Sequence, residues 1–295
     1  MFTIFGIPSQ LFYGQLMLGI VNGAFYALLS LGLAVIFGML GILNFAHGAL
    51  YMLGAFVAYI LLESFQIGYW WALLIAPLVV AAFGALMETT LIRRMYKLDH
   101  VYGLLLTFAL AMIIQGVVRL VFNNAGLPYR IPEELQGAMN LGFMFMPYYR
   151  AWVVVAALSV CLVTWFLIER TSLGAKLRAA TENAPLVQSF GVNVPRMVLL
   201  TYAGGAGLAA FAGVLAAPVY SVNVNMGEHF MITVFAIVVI GGMGSIMGSV
   251  VASLILGMIE GLTKLFYPEA SALVIFIVMI FVLLTKPAGL FGRGN

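Results

Sequence analysis

The first 62 residues contain no Asp, Glu, Lys or Arg; Glu63 is the first charged side chain and Arg93 is the first basic one. The hydrocarbon core of a bilayer is about 30 Å thick, and about 20 apolar residues of helix cross it. An uncharged stretch of this length therefore predicts two consecutive membrane-spanning segments at the start of the chain.

The composition of the whole chain extends this prediction. Of its 295 residues, 64% are hydrophobic and 8% are charged, whereas about 25% are charged in a typical soluble domain. So few charges cannot cover a water-soluble surface, which excludes a soluble enzyme, a nucleic-acid-binding protein and a disordered chain. No stretch resembles an interdomain linker. We predict a single membrane domain over residues 1–295, an all-α polytopic transmembrane bundle in contact with membrane lipid.

Apolar runs between the charged and proline-containing breaks locate the predicted spans. Helix is expected throughout because lipid offers no hydrogen-bond partner to the edge of an open sheet. The runs cover approximately 11–40, 44–62, 69–92, 101–122, 151–168, 197–217, 231–263 and 271–285.

Lys and Arg concentrate in cytoplasmic loops, so their distribution predicts the orientation. The segments 63–68 and 218–230 contain neither residue, whereas three other segments are basic. We therefore expect 93–100, 169–196 and the C-terminal tail to be cytoplasmic. The basic residues that carry this assignment are Arg93, Arg94, Lys97, Arg170, Lys176, Arg178, Arg196, Lys286 and Arg293.

This orientation requires the run 231–263 to leave and re-enter the same side of the membrane. Its first limb, 231–240, reaches only about 15 Å as a helix, roughly half of the bilayer core. We therefore predict a broken or re-entrant hairpin. Its break falls on the glycine-rich midpoint, with Gly241, Gly242, Gly244 and Ser245.

Polar side chains inside the spans either bond between helices or line a pathway. Gln15, Asn22 and Tyr26 lie in the first run at helical spacing. Glu260 and Lys264 are four residues apart and are interpreted as an ion pair near a membrane edge.

Asn44 and His47 open the second run and allow two compatible interpretations. In the first, Asn44 caps the helix and His47 is a buried, satisfied side chain. In the second, the helix start lies at a cavity and turns its positive dipole end toward a substrate carboxylate. Near the far end of the third run, Glu88 and Arg93 are explained by snorkelling to the interface.

The basic loop 169–196 predicts a short helix. Asn183 suits its N-cap, Pro185 its first turn and Gly191 the position after its end. Leu186, Val187 and Phe190 are predicted to share one apolar face. A two-turn helix is unstable alone in water, so this face packs either on the protein's own helices or on a cytoplasmic partner.

The residues of a catalytic or metal site are not apparent in the sequence. The chain lacks the G-x-x-x-x-G-K-[ST] pattern that cradles ATP phosphates. His47 is not expected to be part of a metal site, because His100 and His229 are expected in loops on opposite sides of the membrane. Its one cysteine, Cys161, cannot form an intramolecular disulfide. We therefore expect neither catalytic residues nor a metal, and we expect no enzyme activity on this chain.

Three segments, in their order and spacing, resemble the permease subunits of branched-chain amino acid ABC importers of the LivH type. The resemblance extends from about Leu11 to Gly289. The segments that carry it are Asn44-Phe45-Ala46-His47-Gly48 with Met52-Leu53-Gly54-Ala55, then Leu177-Arg178-Ala179-Ala180 through Asn183 to Gly191-Val192-Asn193, and Gly241-Gly242-Met243-Gly244-Ser245.

The resemblance implies a multi-pass protein of the bacterial inner membrane with several partners. These are a second, LivM-type permease, two cytoplasmic ATPase subunits that hold ATP and Mg, and a periplasmic substrate-binding protein. No cofactor is expected on this chain and no nucleic acid among its partners. The coupling contact to the ATPase is assigned by this resemblance to Arg178, Glu182, Asn183, Leu186, Val187, Phe190 and Gly191.

Branched-chain amino acids are the first expectation for the translocated solute, although the resemblance also implies other amino acids, urea, short amides or aromatic acids, which relatives carry. The alternative is a stand-alone channel or facilitator for a small polar solute such as urea or an amide. In either case the expected pathway residues are Gln15, Asn22, Tyr26, Asn44, His47, Gly241, Gly242, Gly244 and Ser245.

Overall fold

A computed structural model describes residues 3–4, 7–41, 43–96 and 98–292. Lys97 and Arg293, two of the basic residues used to predict the orientation, lie outside the described residues. The described helices are α1 Ser9–Leu40, α2 Ala46–Phe65, α3 Tyr69–Thr90, α4 His100–Phe122, α5 Tyr148–Glu169, α6 Ser172–Glu182, α7 Ala184–Ser189, α8 Val194–Tyr220, α9 Met226–Gly241, α10 Ile246–Phe266 and α11 Val274–Thr285.

Short strands form two antiparallel pairs. β1 (Thr3–Ile4) pairs with β2 (Ile7–Pro8), and β3 (Ala138–Asn140) pairs with β4 (Phe145–Pro147). Single 3₁₀ turns occur at Ile92–Met95, Glu133–Leu135 and Pro268–Ala270. The predicted all-α class is confirmed, since every long element is a helix.

In the described residues, seven helices are long and apolar enough to cross a membrane, namely α1 to α5, α8 and α10. The prediction of a polytopic helical membrane protein is thereby confirmed. The hairpin differs from its prediction in length. Its first limb, α9, begins at Met226 and has 16 residues, which is about 24 Å. The last predicted crossing, 271–285, contains a helix of only 12 residues, about 18 Å.

Contacts divide the chain into two compact units, and the four boundaries fall within α1, α5 and α9 and in the segment between α4 and α5. The first consists of Met1–Ser30, Ile131–Cys161 and Thr233–Asn295. The second consists of Leu31–Arg130 and Leu162–Ile232. We call them the α1–α10 unit and the α2–α8 unit. The single domain expected from the sequence stays a prediction.

Glycines allow the central helices of the α2–α8 unit to approach closely. A Cβ on Gly54 of α2 would lie 2.4 Å from the Cα of Ala210 in α8. A Cβ on Gly213 would lie 2.1 Å from the carbonyl oxygen of Tyr51. Small residues at such crossings let the two backbones approach closely. Close packing then stabilises the contact between helices, because lipid removes the hydrophobic driving force.

The peripheral helices of the same unit expose broad apolar faces. Because α3 and α4 both qualify as membrane spans, lipid is the medium expected to cover these faces. The most exposed large side chains include Trp71, Leu78, Leu86, Ile113, Leu120 and Val121.

Candidate translocation and coupling residues

Asn44 secures the start of α2. Its Oδ1 accepts a hydrogen bond from the backbone N–H of Ala46 at 3.2 Å, and its carbonyl accepts the N–H of His47 at 3.1 Å. Its Nδ2 donates to the hydroxyl of Tyr202 in α8 at 3.0 Å. The helix begins at Ala46 and its N-cap is Phe45, without a side-chain cap bond, so the predicted N-cap at Asn44 is wrong by one residue, although the Asn44 side chain does bind the first helical N–H.

The side chain of Thr107 in α4 also forms hydrogen bonds with the residues that precede α2. The hydroxyl of Thr107 accepts the N–H of Phe45 and donates to the carbonyl of Leu43, each at 3.2 Å. The turn that leads into α2 is therefore tied to two neighbouring helices by side-chain hydrogen bonds.

His47 is fully buried and packs against the backbone of α1. A Cβ on Gly32 would lie 2.8 Å from His47 Cε1 and 3.1 Å from the carbonyl oxygen of Gly205. Only glycine at position 32 leaves room for this imidazole ring. The first interpretation of His47, a buried side chain within the bundle, agrees with this packing; contact with solute stays a prediction.

Gln15, Asn22 and Tyr26 belong to the α1–α10 unit, whereas Asn44 and His47 belong to the α2–α8 unit. The hydroxyl of Tyr26 donates to Glu260. The predicted pair of Glu260 with Lys264 is present, with 2.5 Å between Nζ and Oε1.

The predicted break between the limbs of the hairpin is confirmed. α9 ends at Gly241 and α10 begins at Ile246. Gly242 and Gly244 have φ values of +103° and +84°, a region that glycine adopts readily and other residues rarely. The hydroxyl of Ser245 accepts the N–H of Gly248 at 3.1 Å and caps α10.

The C-terminal tail forms hydrogen bonds with the end of α9 at this break. The N–H of Leu290 donates to the carbonyl of Ile240 at 2.8 Å, and that of Phe291 donates to the carbonyl of Gly241 at 3.1 Å. The last carbonyls of a helix have no partner within it. The tail therefore supplies the hydrogen bonds that α9 lacks at its end, a role with no signal in the sequence.

The snorkelling interpretation of Glu88 is wrong, because its side chain is completely buried. Arg93 donates to both carboxylate oxygens of Glu88, at 3.1 Å from Nε and 2.8 Å from the terminal nitrogen. The hydroxyl of Tyr96 donates to the same carboxylate at 2.9 Å. A buried carboxylate is stable only when it is paired in this way. Sequence reasoning missed Tyr96, whose only signal was its proximity to an acid and an arginine.

The basic loop contains two helices where one was predicted. α6 was not predicted, and α7 starts after Asn183 as expected. The Asn183 side chain accepts the N–H of Leu186 at 3.0 Å. Gly191, with φ of +81°, follows the end of α7. The predicted N-cap and helix end are therefore confirmed.

The predicted common face of α7 is wrong for Val187, and Phe190 lies just after the last residue of the helix. Leu186 and Phe190 are exposed, by 53% and 78%. Val187 instead packs against a buried cluster of Ala180, Val194 and Val198. The reason is geometric, since adjacent residues of a helix point about 100° apart, whereas residues four apart share a face.

Arg178 and Glu182 differ in their environment. Arg178 donates to the carbonyl of Ile168 at 3.1 Å and to the carboxylate of Glu169 at 3.2 Å, so it ties α6 to the end of α5. Glu182 is exposed at the end of α6. The assignment of both residues to an ATPase contact stays a prediction. The described residues include no cluster of three or more His, Cys, Asp or Glu side chains that could hold a metal ion.

These features define a polytopic helical membrane protein with a broken hairpin and a short two-helix loop. Comparison with known families matches residues 15–283 to the family described as "Branched-chain amino acid transport system / permease component". The chain belongs to this family of transport permeases, which confirms the resemblance.

Individual relatives match over nearly the whole chain. The permease protein BraD of the high-affinity branched-chain amino acid transport system of Pseudomonas aeruginosa is 30% identical, over 95% of each chain. The corresponding LivH of Escherichia coli is 29% identical over 96% of each. A probable LivH of Methanocaldococcus jannaschii is 26% identical over 92% of this chain and 90% of its own. No solved structure gives a significant match.

Proposed function

We propose that this chain is the translocating subunit of an ATP-driven ABC importer for amino acids, with leucine, isoleucine and valine as the first candidates. The observation that carries the proposal is the match of residues 15–283 to the permease family. The relatives named BraD and LivH are described as parts of branched-chain amino acid transport systems. The chain itself supplies the pathway, and ATP and Mg bind on separate subunits.

The proposed assembly is that of a bacterial inner-membrane importer. It contains a second, LivM-type permease, two cytoplasmic ATPase subunits and a periplasmic substrate-binding protein. The seven candidate spans support a multi-pass arrangement. The absence of charge from the first 62 residues leaves this region suited to a hydrophobic bundle and to contacts between two permeases.

The proposed contact with the ATPase is the exposed side of α7. A helix of six residues does not persist in water without packing. Val187 holds one side of α7 to the protein, while Leu186 and Phe190 project from it into solvent. Burial of one such side chain in a groove of the partner contributes about 1.5–3 kcal/mol.

The proposed solute contact is the start of α2. The positive end of this helix dipole suits the carboxylate of an amino acid. The start donates hydrogen bonds to the hydroxyls of Thr107 and Tyr202, and His47 lies one residue into the helix. Gln15, Asn22 and Tyr26, and the break formed by Gly241, Gly242, Gly244 and Ser245, complete the proposed pathway.

The test is co-expression with the partner subunits, purification in mild detergent and uptake by proteoliposomes. We expect ATPase to co-purify and uptake of leucine to require ATP. Phe190→Asp should weaken the ATPase contact by about 10- to 100-fold, from the burial energy lost, with the permease still inserted. Gln188→Asp is the matched control, because it adds the same charge to an exposed position of the same helix. A homo-oligomer that conducts solute without ATP would overturn the proposal in favour of a channel.

A further inference from the structure

The α6–α7 segment is joined to the membrane helices through one buried cluster. Ala180 of α6 packs with Val194 and Val198 of α8 in this cluster. Val187 of α7 and Tyr96 pack against its edge. Tyr96 follows the 3₁₀ turn at the end of α3. A displacement of α7 therefore acts on the ring of Tyr96 through close-packed side chains, which transmit strain because they have little room to adjust.

The other end of Tyr96 is fixed to α3. Its hydroxyl donates to Glu88 Oε1 at 2.9 Å, and Arg93 binds the same carboxylate. Burial, together with the charge of Glu88, raises the pKa of Tyr96 far above its ordinary value.

The contacts continue from α3 to the start of α2. Gly84 lies one turn before Glu88, and a Cβ there would be 3.6 Å from the Tyr202 ring. The hydroxyl of Tyr202 accepts the hydrogen bond from Asn44. Packing contacts and hydrogen bonds thus link α7, through α3 and Tyr202, with Asn44 at the start of α2.

We propose that Tyr96 is a positioning residue that couples movement of the α6–α7 segment to the start of α2 through its hydrogen bond to Glu88. This inference rests on the proposed function, because it deepens the route from ATPase contact to solute contact. Without the hydroxyl, the ring of Tyr96 still packs against the cluster, but a movement of α7 is no longer transmitted to α3. ATP hydrolysis by the partner subunits then continues, while translocation of the solute fails.

The decisive measurement is the number of solute molecules imported per ATP hydrolysed, in proteoliposomes that contain the complete transporter. Tyr96→Phe removes only the hydroxyl. We expect this ratio to fall at least fivefold while the amount of assembled complex stays unchanged. Tyr102→Phe is the matched control, because Tyr102 lies nearby on α4 with its side chain 57% exposed, and its ratio should equal that of the wild type.

The ratio separates coupling from folding, because loss of folded protein lowers uptake and hydrolysis together. Tyr202→Phe provides a second, independent variant if Tyr96→Phe is not recovered in membranes, and its ratio should fall similarly. The double variant should lose no more than the larger single loss, since both act on one route.

An unchanged ratio in Tyr96→Phe would overturn the inference. If only Tyr202→Phe is recovered, an unchanged ratio in that variant would overturn it. So would additive losses in the double variant. A wild-type transporter without ATP-dependent uptake would instead overturn the proposed function. The two failures are therefore distinguishable.

Discussion

The hydroxyl of Tyr26 in α1 donates a 2.7 Å hydrogen bond to the carboxylate of Glu260 in α10, across 234 residues of sequence. Lys264 binds the other oxygen of the same carboxylate. A buried carboxylate in an apolar bundle requires such partners, because an unpaired charge there costs several kcal/mol. Tyr26 thus has a structural role in the α1–α10 unit.

Tyr26→Phe should reduce the stability of the purified protein in detergent. A hydrogen bond to a charged group contributes about 1.5–3 kcal/mol, and its loss leaves Glu260 with Lys264 as the remaining partner among these three side chains. The measurement is the thermal unfolding midpoint, which we expect to fall. Tyr13→Phe is the control, since Tyr13 lies on the same helix and is 45% exposed. Equal midpoints for the two variants would contradict the prediction.

Gly19→Ala should destabilise the contact between α1 and α10. A Cβ at position 19 would lie 2.6 Å from the carbonyl oxygen of Gly257, a distance that requires the two backbones to separate. We expect a loss of about 1–3 kcal/mol, typical of an overpacked interior. Unfolding in detergent at increasing denaturant concentration would measure it.

Gly14→Ala on the same helix provides the matched control for that substitution. A Cβ there would have no neighbour within 4 Å. Alanine is favoured over glycine in a helix by about 0.8–1.0 kcal/mol, so this variant should be as stable as the wild type or more so. The prediction fails if the two alanine variants behave alike.

Gly242→Ala should destabilise the hairpin by more than the cost of placing alanine at a positive φ. Its φ of +103° is unfavourable for alanine, and its Cβ would lie 2.5 Å from the backbone nitrogen of Gly292. Gly142→Ala is the control, because Gly142 has φ of +81° but no neighbour within 4 Å. Backbone strain alone costs about 1–3 kcal/mol, so we expect a larger loss of thermal stability at position 242. A loss no greater than that of the control would refute the steric contribution.

Leu290→Pro should release the C-terminal tail from the end of α9. Proline has no N–H, so the 2.8 Å bond to the carbonyl of Ile240 cannot form. We expect faster proteolysis of the tail in limited digestion and a net loss of about 1 kcal/mol. Leu290→Ala keeps the N–H and should retain protection. If the two variants are cleaved at equal rates, the hydrogen bond does not hold the tail.

The local sequence pattern correctly predicted those features that depend only on residues close together in the chain. Asn183 and Gly191 mark the start and the end of α7 as predicted, because a cap satisfies backbone groups within three residues of itself. The glycine break at 241–245 was also predictable, since a glycine-rich midpoint in an apolar run permits a turn. Pattern failed for Val187, where helical spacing identifies an apolar residue but does not say which neighbour covers it.

The sequence by itself determined the class of this protein: apolar runs of spanning length, interrupted by charges, permit only a helical membrane bundle, because backbone hydrogen bonds must be satisfied within each segment. It also determined the family, through short segments in a set order. Only the tertiary structure decided which side chains meet, as Tyr26 meets Glu260 and Tyr96 meets Glu88. Such contacts depend on the relative placement of helices, which arises from packing over distances that no local periodicity encodes.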